Sequence, residues 1–184
     1  MFRRRMAPAP AEILSVNFLE EVPMPVLTAP ERKPLIAKLK TLPNELQAAV
    51  KGLTPDQLNT PYREGGWTVA QVVHHLADSH MNGYTRMKFV LTEDKPTFKA
   101  YEQDMWASRE DAKSTQVAPS LTLIKGLHKR WIAMLKKVGR AEWKRTGIHP
   151  EKGEVTVDDI LTTYANHGER HVGQILALRK AKGW

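Results

Sequence analysis

Two histidines four residues apart, His167 and His171, lie inside a long helical pattern that runs from Thr156 to Trp184. Stepping along one face by threes and fours gives Ile160, Tyr164, His167, His171, Ile175 and Leu178, so both imidazoles occupy positions where periodicity places core residues. Residues four apart stack on one helix face and can present nitrogen donors to a common point, which suits a bound ion. No Glu follows His167 directly, so this is not the His-Glu-x-x-His arrangement of metalloproteases. The competing reading is a pair of core histidines hydrogen-bonded to their neighbours, and a third donor is needed to favour the metal.

A second helical pattern offers that donor in His74-His75-Leu-Ala-Asp78-Ser-His80. At about 100° per residue, His74 falls opposite the apolar seam and is expected at the surface. His75 lies at one edge of the seam and His80 inside it. Periodicity rejects His74 but does not choose between His75 and His80, and their separation of five residues argues against both reaching one ion. His128 and His149 are expected as ordinary surface, loop or helix-packing residues.

These histidines need elements to hold them. Residues 1–27 carry Pro8, Pro10, Pro23 and Pro25 around short apolar pieces and are expected as an extended arm. Thr28-Ala-Pro-Glu31 has the form of a capping box, and Leu35, Ile36, Leu39, Leu42, Leu46 and Val50 follow at helical spacing to about Lys51, with Pro43 expected to kink the helix. Thr54-Pro-Asp-Gln57 suits a short helical turn, and Pro61 to Gly66 a loop. Thr68-Val-Ala-Gln71 opens the second long helix, which continues to about Leu91 along Val69, Val73, Leu76, Tyr84 and Met87.

From Thr92 to Pro119 the pattern gives a long polar crossover, expected to pack over one end of the bundle as a lid, with Tyr101 and Trp106 able to close over a substrate. A third helix starts at Ser120, with Leu121, Ile124, Leu127, Trp131 and Leu135 on its buried face. Lys144 to Val157, with Pro150-Glu-Lys-Gly153 between short alternating pieces, suits a small hairpin before the last helix. The expected fold is therefore all-α: a four-helix bundle over residues 28–184 with a long crossover between its second and third helices. Metal sites in such bundles are built in the core from side chains on facing helices.

Composition narrows the chemistry further. The chain has 184 residues and no cysteine, which excludes disulfides, thiolate metal ligands and a protein-borne thiol nucleophile. Any sulfur chemistry would have to use a substrate thiol. The formal charge of +8 is spread over many segments, and Arg3-Arg4-Arg5 and Lys136-Lys137 lack interleaved aromatics, which argues against a nucleic-acid partner. No window approaches the roughly 18 apolar residues of a membrane span, and the arginines near the start precede no apolar run. A cytoplasmic protein is expected.

Pro61-Tyr-Arg-Glu-Gly-Gly-Trp-Thr68, Gln71-Val-Val-His-His-Leu-Ala-Asp-Ser-His-Met-Asn82 and the late His167-x-x-x-His171 together resemble the YfiT group of the DinB-like superfamily. The resemblance extends from about residue 28 to the C-terminus and includes Tyr101 and Trp106. It implies a four-helix bundle holding one divalent ion through His75, His167 and His171, with zinc or nickel the expected metal. Family members often carry further histidines in the last motif, where this chain has Arg170 and Gln174, a departure that bears on substrate preference or on the groups around the ligands.

Three neutral imidazoles leave open coordination positions, at which a water's pKa falls to roughly 7 or a substrate thiol binds as thiolate. The resemblance accordingly implies either a metal-dependent hydrolase or an S-transferase that activates a low-molecular-weight thiol for attack on an electrophile. Arg63, Tyr101 and Asp78 are the candidate catalytic side chains, with Asp78 also a candidate proton acceptor or hydrogen-bond partner of a ligand. Arg63 and Arg86 would suit an anionic thiol. The competing expectation is a noncatalytic helical module in which an ion only staples helices or the basic surface binds a partner. The family and the apolar pieces of the arm point to a homodimer.

Overall fold

The computed structural model describes residues 26–184, so nearly all of the expected N-terminal arm lies outside the described residues. Seven α-helices and one hairpin follow in order: α1 (Ala29–Val50), α2 (Pro55–Leu58), α3 (Val69–Thr92), α4 (Gln103–Ala107), α5 (Glu110–Lys113), α6 (Ala118–Leu135), β1 (Thr146–His149), β2 (Gly153–Thr156) and α7 (Val157–Lys182). The long helices α1, α3, α6 and α7 form the expected bundle. Each of α1 and α3 packs against both α6 and α7, which places α1 and α3 on one diagonal and α6 and α7 on the other.

Local sequence explains where these helices begin. Thr68 accepts from the Gln71 amide at 3.2 Å while Gln71 Oε1 accepts from the Thr68 amide at 2.9 Å. Thr156 and Asp159 make the same reciprocal pair at the start of α7. Gly183, at φ 71°, ends α7 in the left-handed region. Arg179 of α7 donates to the Ala49 and Lys51 carbonyls at 2.9 and 3.1 Å, satisfying acceptors that the end of α1 leaves open.

The hairpin appears as expected, with Thr146 opposite Thr156 and His149 opposite Gly153. The crossover differs. It folds two short helices, α4 and α5, that pack against α3, and Phe98 donates its amide to the Ile148 carbonyl at 2.8 Å, joining the crossover to β1. Segments of four or five residues are too short to show a helical period, which is why the pattern gives only a connection. The third long helix begins two residues earlier than expected, with Pro119 accommodated in its first turn.

The apolar core falls into two clusters with a polar layer between them. Leu42, Leu46, Val69, Val73, Leu76, Ile124, Val172 and Ile175 belong to one, and Leu39, Met87, Val90, Trp131, Leu161 and Tyr164 to the other. Along α3, α6 and α7 the residues between the two clusters include His80, His128, and His167 and His171 respectively, with His75 at the inner end of the first cluster's stretch of α3. Helix α1 contributes no histidine at this level, but Pro43 lies inside it and has no amide hydrogen, so the Leu39 carbonyl lacks its usual partner four residues on. The helix runs on through Pro43 without interruption.

Gly168, between the two histidines of α7, lets that helix approach α1: a Cβ there would collide with the Leu42 side chain. Gly173, one and a half turns further along, has open space around its Cβ position. In an exposed helix Gly→Ala stabilises by about 1 kcal/mol, whereas forcing an extra carbon into a packed core costs about 1–3 kcal/mol. Gly168→Ala is therefore expected to lower the urea midpoint and Gly173→Ala to raise it.

Candidate metal centre

His75 comes from the first half of α3, and His167 and His171 from the middle of α7. Their Nε2 atoms converge: that of His167 lies 3.2 Å from His75 Nε2 and 3.2 Å from His171 Nε2. The donor atoms of the three all lie within 4.8 Å of one another. Two nitrogens bound at about 2.1 Å to one tetrahedral ion sit about 3.4 Å apart, so the spacing suits a shared divalent ion. Neutral imidazoles are required for this, and burial provides them. It pushes His75 down to about 3, helped by the charges of His171 and Arg170, and His167 to about 2, helped by His171 and His75. Burial takes His171 to about 4 against the opposing effect of its bond to Gln174.

The groups around the candidate ligands orient them. His171 Nδ1 bonds Gln174 Oε1 at 2.8 Å, which leaves Nε2 as the lone-pair atom. Gln174 is thus one of the departures from the family pattern that does touch the ligands' surroundings. Trp67, in the loop before α3, lies with its ring 4.5 Å from that of His75 and nearly parallel to that of His171 at 6.4 Å. Its indole donates to Asp104 of α4 at 3.1 Å, and Gln71 donates to the Ala107 carbonyl at 2.7 Å, so the crossover is tied to the wall of the site.

Two clefts reach the histidines. One, of about 400 Å³, is bounded by His167 together with Arg86, Tyr101, His149, Lys152 and Arg170. The other, of about 440 Å³, is bounded by His75 and His171 with Arg63, Trp67 and Asp104. Arg170 and Gln103 line both. The first cleft carries three permanent or near-permanent cations against one carboxylate, that of Glu151. Arg86 is fixed there by the Tyr164 hydroxyl at 3.3 Å and the Lys99 carbonyl at 3.1 Å.

The candidate catalytic side chains fall in three different places. Tyr101 is in the wall of the first cleft, its ring 4.6 Å from Trp106, with its phenol pushed up mainly by burial. Arg63 is exposed at the rim of the second cleft, its Nε 3.1 Å from the hydroxyl of Tyr62. Asp78 lines neither cleft. Burial and the nearby Asp111 push its carboxyl up while His74 opposes them. His149, expected as an ordinary loop or surface residue, borders the first cleft, and only the pairing of β1 with the crossover brings it there.

His74 is a correction. The seam of α3 puts it on the opposite side from the core, yet it is buried, with 9% of its surface exposed. Its Nδ1 lies 2.8 Å from Ser120 Oγ and its Nε2 donates to the Ser114 carbonyl at 2.8 Å. Helical periodicity recognises one buried face, and here the crossover covers a second one. His80 lies fully inside and is paired with other histidines, with its Nε2 3.5 Å from His167 Nδ1.

A four-helix bundle with three convergent imidazoles in its core defines a class of metal-binding helical proteins. The sequence pattern of the DinB superfamily matches residues 38–175, and the chain belongs to that superfamily. A protein of Geobacillus thermodenitrificans (strain NG80-2) is 49% identical over 158 residues, 85% of this chain and 88% of that one. One of Geobacillus kaustophilus (strain HTA426) is 50% identical over 151 residues, 81% and 84% of the two chains. Both carry the name "putative metal-dependent hydrolase". YfiT from Bacillus subtilis superposes with a TM-score of 0.85 at 40% identity, over 88% of this chain and 93% of that one, and is described as "a probable metal-dependent hydrolase with an unusual four-helix bundle topology".

The placement of His74 is testable. His74→Ala leaves the Ser114 carbonyl and Ser120 hydroxyl without their partner in a covered position, at a cost of about 1–3 kcal/mol. Urea denaturation is expected to show that loss, with divalent-ion binding unchanged.

Proposed function

We propose that this protein is a metal-dependent hydrolase that holds one divalent ion, zinc or nickel, between His75, His167 and His171. The observation that carries this reading is the convergence of three Nε2 atoms, that of His167 lying 3.2 Å from each of the other two, at a place that two clefts reach. The names of the curated relatives support the same class. An ion held by three imidazoles keeps open coordination positions and supplies Lewis-acid activation of water or of a carbonyl.

The remaining work falls to the chain's own side chains. Arg86, Lys152 and Arg170 make the cleft beside His167 suited to a small anionic substrate, and Arg86 is held ready by Tyr164 and Lys99. Tyr101 lines that cleft with a phenol that, like any tyrosine's, is protonated at neutral pH, and acts as a hydrogen-bond donor toward substrate oxygen. Arg63, at the rim of the second cleft, screens charge at the entrance. Trp67 and Asp104 of the crossover wall the second cleft beside His75 and His171.

The cationic cleft also suits a small anionic thiol, and with such a substrate, bound through Arg86, Lys152 and Arg170, the enzyme would be an S-transferase. The chain has no cysteine, so that sulfur belongs to the substrate. Hydrolysis of a chromogenic ester and conjugation of a small thiol to a chromogenic electrophile, run side by side, separate the two reactions.

Protein purified without chelator is expected to contain about one equivalent of divalent ion by elemental analysis. His167→Ala is expected to lose the ion and to lower turnover by more than about a hundredfold, with helix content by circular dichroism retained. Absence of a bound ion in the wild type would overturn the reading. A chelator-sensitive melting curve with no turnover of either kind would mark the ion as a structural staple.

A further inference from the structure

Behind the metal centre the buried histidines form a chain that ends on the backbone of α1. His167 Nδ1 lies 3.5 Å from His80 Nε2, His80 Nδ1 lies 3.0 Å from His128 Nε2, and His128 Nδ1 lies 2.6 Å from the Leu39 carbonyl oxygen. His80 and His128 are 0% and 1% exposed, and burial, with the charges of His128 and His167 in the case of His80, holds both below the ordinary histidine range. Buried, joined ring to ring and with no carboxylate among their hydrogen-bond partners, each is a neutral ring with one N–H and one lone pair.

The carbonyl then sets the direction of every link. An oxygen only accepts, so His128 Nδ1 carries the proton and its Nε2 is the acceptor. His80 must donate to that acceptor from Nδ1, which makes its own Nε2 an acceptor. His167 must donate to it from Nδ1, which leaves His167 Nε2 with a free lone pair aimed at His75 and His171. The Leu39 oxygen is available for this because Pro43, four residues on, supplies no amide hydrogen.

We infer that His80 and His128 are positioning residues that fix His167 in the Nδ1–H tautomer, so that the free carbonyl of Leu39 presets which nitrogen faces the metal. Neither ring touches the ion or a substrate. His171 reaches the same tautomer by a separate route through Gln174, and the two ligands of α7 are thus set independently. The inference deepens the proposed metal site and rests on it only for the binding readout.

The direct test is the tautomer of His167 in metal-stripped wild-type protein, from nitrogen-15 shifts of the imidazole rings. A proton on Nδ1 of His167, His80 and His128 is expected, and a proton on Nε2 of His167 would overturn the inference without bearing on whether the protein binds metal. The second arm uses zinc competition against a chromophoric chelator. His128→Leu is expected to weaken zinc about tenfold or more and to leave His167 in mixed tautomers, while His128→Gln, which retains a donor and an acceptor, recovers part of both. An unchanged His167 tautomer and unchanged affinity in folded His128→Leu would refute the relay. If His128→Leu does not fold, His80→Phe, which keeps a ring but neither donor nor acceptor, supplies the same comparison. Wild-type protein that binds no zinc but shows the expected tautomers would sink the metal reading and leave the relay standing.

Discussion

A neutral imidazole buried in a helical core must find one acceptor and one donor, because each unmet group costs about 1–3 kcal/mol. Five buried or half-buried histidines meet in this bundle: His80 and His128 are met by each other, by His167 and by one backbone carbonyl, His171 Nδ1 is met by Gln174, and the converging Nε2 lone pairs of His75, His167 and His171 are the groups a bound ion would meet. Among the described residues no buried side-chain nitrogen or oxygen lacks a partner. The consequence reaches beyond the site. A shift of one residue in α3 or α7 would unpair several rings together, and one in α1 or α6 would break the bond between His128 and the Leu39 carbonyl, so the polar layer helps to specify the relative registers of the four helices.

The same layer also separates the two sides of the centre. Inward, His167 is backed by rings that are nearly fully buried, and outward it borders a cleft with cationic walls. The crossover and the hairpin make up much of the outward side. Tyr101 and Gln103 come from one and His149, Glu151 and Lys152 from the other, joined where Phe98 pairs with Ile148. Helices α3 and α7 thus supply the proposed metal ligands, and the parts between the long helices supply much of the cleft wall. Such a division lets the walls vary in sequence without disturbing the ligands.

Legibility in the sequence followed the same division. The inward placement of His167 and His171 could be read because a 26-residue helix repeats its period many times. His75 and His80 could not be told apart by periodicity, and the structure shows the reason: both are buried, and they differ only in which rings they meet. It was the resemblance to a known family that singled out His75. His74 misled because the pattern assumes one covered face per helix, whereas α3 has a second cover from the crossover. His149 could not be placed, since its position depends on a pairing between segments about fifty residues apart.

Pro43 and His128 show most clearly how a local irregularity can carry information that no pattern reads. A proline inside a helix forfeits a hydrogen bond and costs about 3 kcal/mol or more, which makes Pro43 look like a defect expected to kink α1. Yet a buried histidine whose Nδ1 must donate needs an acceptor, and a regular helix spends its carbonyls on its own amides four residues on. Removing one amide leaves one carbonyl, that of Leu39, facing the core with capacity to spare, and His128 meets it from 89 residues away. The proline's cost and the histidine's need offset one another. Neither residue is explained without the other, and together they connect the backbone of α1 to the lone pair of a proposed metal ligand on α7.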